Sequence, residues 1–246
     1  MRSLLLLVIV SAAPAIADEA RVAVAANFAG AAKQLAAVFE RETSHRLQLS
    51  AGSTGKFYAQ IANGAPFDVL LSADSETPLR LEQEKLAVAG SRFTYAVGKL
   101  VLWSPRAGLV DDKGEVLRSG SFKRLAIANP KVAPYGAAAM QTMERLGVWS
   151  ALKDRLVQGE NIAQTFQFVS SGNADLGFIA LSQIRESGQP RSGSQWLVPP
   201  SLHQPLRQDA GLLAPGAANP AARAFLEFLR GSAAREAIRA FGYETP

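Results

Sequence analysis

Four short segments of this 246-residue chain place small, hydroxyl or amide residues where an apolar strand-like run gives way to a helix-like one. They are Ala25-Ala26-Asn27-Phe28, Ala51-Gly52-Ser53-Thr54-Gly55, Pro134-Tyr135-Gly136 behind Asn129-Pro130, and Gly159-Glu160-Asn161-Ile162. Such turns expose the first amides of a helix, which have no carbonyl four residues back to bond. The helix dipole puts partial positive charge at the same place. If several converge, they bind an anion through neutral donors, with Ser and Thr hydroxyls adding to the main-chain N–H groups. A site with many donors and few acceptors also rejects a protonated anion, whose OH finds no acceptor. Each turn alone reads more simply as a helix cap, because Asn, Ser and Thr are preferred N-caps. Four of them, two in each half of the chain, favour a binding cleft.

Other chemistries lack their residues. The two histidines, His45 and His203, form neither a metal-spaced pair nor a helical HExxH arrangement. No Gly-x-Ser-x-Gly nucleophile elbow occurs. Gly52-Ser53-Thr54-Gly55-Lys56 resembles a phosphate loop on the surface, but the nucleotide motif needs a longer loop and a Ser or Thr after the lysine, where this chain has Phe57. The chain is therefore read as a binding protein and not an enzyme, with no cofactor and no side chains that ligate a metal cation. Cysteine is absent, which removes disulfides, thiolate metal sites and a lipid-bearing residue together. The net charge of +5 is dispersed, without a run of four basic residues, and this argues against a nucleic-acid surface.

The elements that must position these turns follow an apolar leader. Met1-Arg2-Ser3, the apolar run of residues 4–10 and Ala15-Ile16-Ala17 have the layout of a cleaved secretory signal peptide covering residues 1–17. The expected location is thus periplasmic. From Asp18 onward strand and helix patterns alternate. Val22 and Val24 mark a strand, and Ala32, Leu35, Ala36 and Phe39 mark one face of a helix over residues 29–43. A short helix is expected over residues 57–63, and another beginning with Thr77 as N-cap and Pro78 at its first position. Residues 93–103 read as one long extended stretch, and residues 136–146 and 162–170 as helices, the latter with Ile162, Phe166 and Val169 inward. Two helices finish the chain, capped by Asn219-Pro220 and by Ser232.

This rhythm predicts an α/β fold of two lobes, each a sheet flanked by helices. Residues 18–96 plus 208–246 form the first lobe and residues 97–207 the second, with crossovers near residues 95–98 and 206–209. A single doubly wound domain is the alternative. Either way, ligands of such sheets sit beyond the carboxyl ends of the strands.

Several motifs in order carry a resemblance to a known family. They include Val24-Ala25-Ala26-Asn27-Phe28, Gly52-Ser53-Thr54-Gly55, Asn63-Gly64-Ala65-Pro66-Phe67-Asp68-Val69 and Leu71-Ser72-Ala73-Asp74. Further on come Ser91-Arg92-Phe93-Thr94-Tyr95-Ala96, Leu100-Val101-Leu102-Trp103-Ser104, Ala133-Pro134-Tyr135-Gly136 and Ala174-Asp175-Leu176-Gly177-Phe178. Over nearly the whole mature length the chain resembles the periplasmic molybdate-binding proteins (ModA) of ABC transporters. The resemblance implies a type II periplasmic-binding-protein clamshell that holds molybdate or tungstate in the interlobe cleft. It further implies a monomer that delivers its ion to a membrane permease and its ATPase. The alternative within the same fold is another tetrahedral oxyanion, sulfate or phosphate. Molybdenum enters as the oxyanion, so no cation ligands are implied.

By position, the resemblance puts the oxyanion contacts on Ala26 and Asn27, on Thr54 with Ser53 beside it, and on Tyr135 and Ile162, the last two mainly through main-chain N–H. In one respect the chain departs from part of the family: Ala180 stands where some members have a ligand-contacting tyrosine. Glu160 and Asn161 are read as solvating or capping the helix at Ile162, and Asp68 and Asp74 as structural caps.

Overall fold

A computed structural model describes residues 18–185 and 191–246. The signal-peptide reading of residues 1–17 lies outside these. The chain opens with β1 (Glu19–Ala25), α1 (Ala29–Glu42), β2 (Arg46–Gly52), α2 (Thr54–Ala62), β3 (Val69–Leu71), α3 (Glu76–Gln83) and β4 (Phe93–Gly98). It continues with β5 (Leu100–Ser104), α4 (Val116–Ser119), β6 (Leu125–Ala128), α5 (Pro134–Arg145), α6 (Trp149–Leu152), β7 (Leu156–Gly159) and α7 (Ile162–Ser170). The last elements are β8 (Leu176–Ala180), β9 (Ser194–Leu197), β10 (Leu206–Leu212), α8 (Pro220–Arg230) and α9 (Ser232–Ala240).

The strands form two mixed five-stranded sheets, ordered β2-β1-β3-β10-β4 and β7-β6-β8-β5-β9. In the first, β1 runs parallel to β2 and β3, while β10 is antiparallel to β3 and β4. The second repeats the plan, with β6 parallel to β7 and β8, and β5 antiparallel to β8 and β9. Burial explains the composition of the inner strands. Val69, Leu70 and Leu71 of β3 are fully buried, as expected of a strand covered on both faces. The apolar face of α1 (Ala32, Leu35, Ala36 and Phe39) packs on the first sheet, and Phe225, Leu229 and Ile238 of α8 and α9 join the same core. The C-terminal helices thus return to the sheet where the chain began.

Residues 93–103 are two strands, not one. β4 belongs to the first sheet and β5 to the second, so the chain changes sheet at Lys99. It returns between β9 and β10. β4 and β10 lie side by side with Leu206 opposite Gly98, and a bulge interrupts the ladder between Gln208 and Asp209. The two crossover segments read from the sequence are therefore neighbours.

Helix starts moved where tertiary bonds set them. α2 begins at Thr54 and not at residue 57, because Phe57 N–H already bonds Ser53 C=O. α5 begins at Pro134, two residues before the expected start. Thr77 is not an N-cap: α3 starts at Glu76, and the Asp74 carboxylate accepts the Thr77 N–H at 2.8 Å and its hydroxyl at 3.2 Å. Ser232 is the first helical residue of α9 and Gly231 its N-cap, since Arg235 N–H bonds Gly231 C=O. Asn219 does cap α8, accepting from Ala221 and Ala222 N–H. In α7 the fully inward residues are Ile162, Thr165 and Val169. Phe166 is only partly buried, against Trp103.

Candidate functional site

The four turns meet at the carboxyl ends of strands from both sheets. After β2, Ser53 has extended backbone (φ −81°, ψ 145°) and is the N-cap of α2, yet its side chain makes no capping bond. The residue is 4% exposed, and among the described residues Ser53 Oγ has no hydrogen-bond partner. A buried hydroxyl without a partner costs about 1–3 kcal/mol. Next to it Thr54 is buried, and its Oγ1 accepts Ala73 N–H at 3.0 Å. The Thr54 hydroxyl proton can still be donated. Gly55 N–H bonds Val132 C=O at 2.9 Å, from α2 to the loop before α5, so the two lobes touch here. A Cβ on Gly55 would press on the Val132 backbone.

After β1, a single 3-10 turn, Ala26–Phe28, leads into α1. Asn27 is buried, and its Nδ2 donates to Gln208 Oε1 at 2.9 Å and to Tyr243 Oη at 3.1 Å. Its carbonyl accepts from Ser182 Oγ (2.9 Å) and Tyr243 Oη (2.7 Å). The side-chain amide and carbonyl of Asn27 are thus both engaged within the fold.

On the other side, Pro134 is the first residue of α5 and has no N–H, which makes Tyr135 N–H the first amide of that helix. The Tyr135 hydroxyl points away to accept from Gln208 Nε2 at 3.1 Å. At α7, Asn161 Oδ1 accepts from Ala163 and Gln164 N–H at 2.9 and 3.0 Å. That caps the second and third amides and leaves the first, on Ile162. Gln183 Nε2 holds the Ile162 carbonyl at 3.0 Å, which fixes that peptide.

Ala26, Asn27, Ser53, Thr54, Tyr135 and Ile162 all line one small cavity, together with Ala25, Gly52, Ala73, Ala133, Pro134 and Asn161. Its volume is about 10 Å³, and no charged side chain lines it. That is room for one water-sized centre. Drug-sized ligands occupy hundreds of Å³, so a ligand of that size does not fit here. Burial strengthens each neutral hydrogen bond made inside it. The phenols of Tyr95, Tyr135 and Tyr243 are all pushed well up, above all by desolvation, and stay protonated. The site therefore offers donors and no charge.

A wider groove of about 330 Å³ lies beside it between the lobes, bordered by Asp74, Glu76, Lys131, Gln141 and Gln204. Asp74 there is pushed up by desolvation, against the hydrogen bonds from Thr77 and Ser72. Its two carboxylates against one lysine do not suit an anion, and of the described turn residues Gly55, Pro130 and Pro134 reach it.

Residues 20–244 match the family of bacterial extracellular solute-binding proteins. The chain belongs to that family. Among the relatives of this solute-binding protein, the molybdate-binding protein ModA of Azotobacter vinelandii is 56% identical over 227 residues, which cover 92% of this chain and 90% of the relative. The ModA protein of Rhodobacter capsulatus is 49% identical over 241 residues, covering 98% of this chain and 94% of the relative. The solved structure of the Azotobacter vinelandii periplasmic molybdate-binding protein superposes with a TM-score of 0.90 at 41% identity, covering 92% of this chain and 99% of that one. The solute-binding protein is thus also a member of the ModA group.

Part of the site's support carries no local sign in the sequence. Gln208, Tyr95, Tyr243 and Ser182 form a buried polar network with Asn27 and Tyr135. Asn27 and Gln208 are 181 residues apart, so only the fold brings them together. Glu160 has a definite partner as well: its carboxylate pairs with Lys56, joining the start of α7 to the start of α2 at the rim. Both side chains are about half exposed or more, and such a pair contributes little on its own.

Proposed function

We propose that this chain is an exported solute-binding protein that captures molybdate or tungstate, alike in shape and charge, between two lobes. The contacts are neutral hydrogen bonds from Ala26, Asn27, Tyr135 and Ile162 N–H and from the Ser53 and Thr54 hydroxyls. One observation carries the reading: Ser53 Oγ is buried and without a partner in a small, uncharged cavity where four helix starts converge. A tetrahedral dianion supplies what that hydroxyl lacks. The names of the relatives at 56% and 49% identity support molybdate over sulfate or phosphate.

On the same reading the protein works by capture and not by catalysis. Residues 1–17 direct it to the periplasm. Lobe one is residues 18–96 with 208–246, and lobe two is residues 97–207. The hinge lies where β4 and β10 run side by side. The closed monomer docks on an ABC permease driven by its ATPase. Calorimetry of the purified mature protein with molybdate, tungstate, sulfate and phosphate tests the proposal. Tight 1:1 binding of the first two is expected. Tight sulfate or phosphate binding with no molybdate heat overturns it.

A further inference from the structure

The buried network behind the cavity contains one side chain that touches both halves of the site. Gln208, in β10, is fully buried. A buried amide is costly unless its groups are bonded, and here both ends are. Oε1 accepts from Asn27 Nδ2 at 2.9 Å and lies 3.2 Å from the Tyr95 hydroxyl. Nε2 donates to the Tyr135 hydroxyl at 3.1 Å. Asn27 stands at the first-lobe turn and Tyr135 at a second-lobe turn, and both line the cavity.

We propose that Gln208 is a positioning residue: its one amide holds the donor turns of Asn27 and Tyr135 in the register that the oxyanion requires. The inference rests on the function proposed above. Two features of the fold support it. The β-bulge falls between Gln208 and Asp209, and the buried Asp209 carboxylate is held by Thr94 Oγ1 of β4 at 2.7 Å and by Arg92 Nη1, just before β4, at 2.5 Å. That pins the strand where Gln208 leaves it. Gly98, near the end of the neighbouring strand β4, has no room for a side chain, because a Cβ would overlap the Tyr135 hydroxyl and Gln208 Nε2. The crossover is shaped around this contact.

The network also has a direction. Asn27, Tyr95 and Gln208 sit on elements of the first sheet, so a rigid-body opening leaves their mutual bonds intact. The Gln208–Tyr135 bond spans to a helix of the second lobe, beside the Ser182 hydroxyl's bond to the Asn27 carbonyl, which also crosses. It forms on closing, as the ligand's contacts do. Two interactions that favour the same closed state are coupled, and each strengthens the other.

The test uses the mature protein, molybdate calorimetry and stopped-flow dissociation, with Gln208→Met, Tyr135→Phe and the double variant. Each single change is expected to weaken binding about tenfold, a hydrogen bond's worth in a buried site, through faster dissociation. The double variant is expected to be no weaker than Gln208→Met, because both changes remove the same link. Thermal unfolding of the three checks that they fold. Wild-type affinity in Gln208→Met, or losses that multiply in the double variant, overturns the positioning role while leaving molybdate capture standing. If Gln208→Met does not fold, Tyr135→Phe decides alone: unchanged affinity and dissociation overturn the proposal. If the wild-type protein takes up no molybdate, both the function and this inference fall.

Discussion

Ser53 and Asn161 stand at the same position, the residue before the first helical turn, on opposite sides of the cleft. Asn161 does what an N-cap does: its side chain accepts two amides of α7 and leaves one, on Ile162, for the cavity. Ser53 is of an equally good capping type, yet its Oγ has no partner in its own helix or elsewhere among the described residues. One turn gives up its side chain to stabilise the fold and offers a main-chain donor. The other withholds its side chain from the fold, which on the proposed function leaves it for the ligand. The difference separates stability from binding across the two lobes, and that separation is open to experiment.

The largest effect is expected from putting the same carboxylate at both N-caps. Ser53→Asp sets an unpaired negative charge in a buried cavity against a dianion, with no cation lining it. Breaking charge balance in a buried site costs about 3–5 kcal/mol, so molybdate affinity is expected to fall roughly a thousandfold. Asn161→Asp keeps an acceptor for Ala163 and Gln164 N–H, and a negative cap suits a helix start. Its thermal stability is expected to hold and its affinity loss to be much smaller. Equal losses in the two variants, read by calorimetry, would erase the distinction between the turns.

Alanine sharpens the contrast at smaller scale. Ser53→Ala removes a hydroxyl with no partner inside the protein, so stability should stay level or rise. Affinity should drop by about 1–3 kcal/mol, the value of a hydrogen bond to a charged group. Asn161→Ala should do the reverse, with about 1 kcal/mol of stability lost with the cap and binding weakened only through the looser Ile162 peptide. Calorimetry beside denaturant unfolding separates the two. A stability loss in Ser53→Ala as large as in Asn161→Ala would mean that Ser53 also serves the fold. Thr54→Ala falls between them, because Thr54 Oγ1 already holds Ala73 N–H and its removal affects both quantities.

These turns show where the sequence is readable. The alternation of Val22 and Val24 and the spacing of Ala32, Leu35, Ala36 and Phe39 are set by burial of a face, so β1 and α1 could be read directly. So could the small polar turns at strand ends, because free amides follow from any helix start. What could not be read depends on distant partners. Ser53 and Thr54 look alike as neighbouring hydroxyls, and only Ala73, brought in by β3, separates the occupied one from the unoccupied one. Thr77 reads as an N-cap until Asp74 captures its amide. Residues 93–103 read as one extended stretch with a crossover near residues 95–98, and only the sheet pairing places the change at Lys99. Gln208 reads only as part of the crossover near residues 206–209, yet it is fully buried.

The smallest expected effect extends the comparison from the turns to two carboxylates that tie loops in the two lobes. Asp74, after β3, is pushed up from its ordinary 3.8, chiefly by desolvation, with the hydrogen bonds from Thr77 and Ser72 opposing and the charge of Glu76 adding to the rise. Asp175, before β8, meets desolvation too, but the Arg124 and Lys123 amides and the charges of Arg106 and Lys123 together bring it down. The signs follow by linkage. Stability from Asp175 is present above pH 3.8 and is lost as pH falls through its depressed value. Asp74 is most favourable to the fold below 3.8, and that contribution is lost as pH rises through its elevated value. Asp175→Asn should therefore lower Tm near neutrality, with the gap from wild type closing as the solution is acidified. Asp74→Asn keeps an acceptor for Thr77 N–H, and its Tm should gain on wild type as pH rises above 3.8. Melting curves from about pH 3 to pH 7 read both slopes. If the two gaps vary with pH in the same sense, the lobes do not hold their carboxylates differently, and the division of labour ends at Ser53 and Asn161.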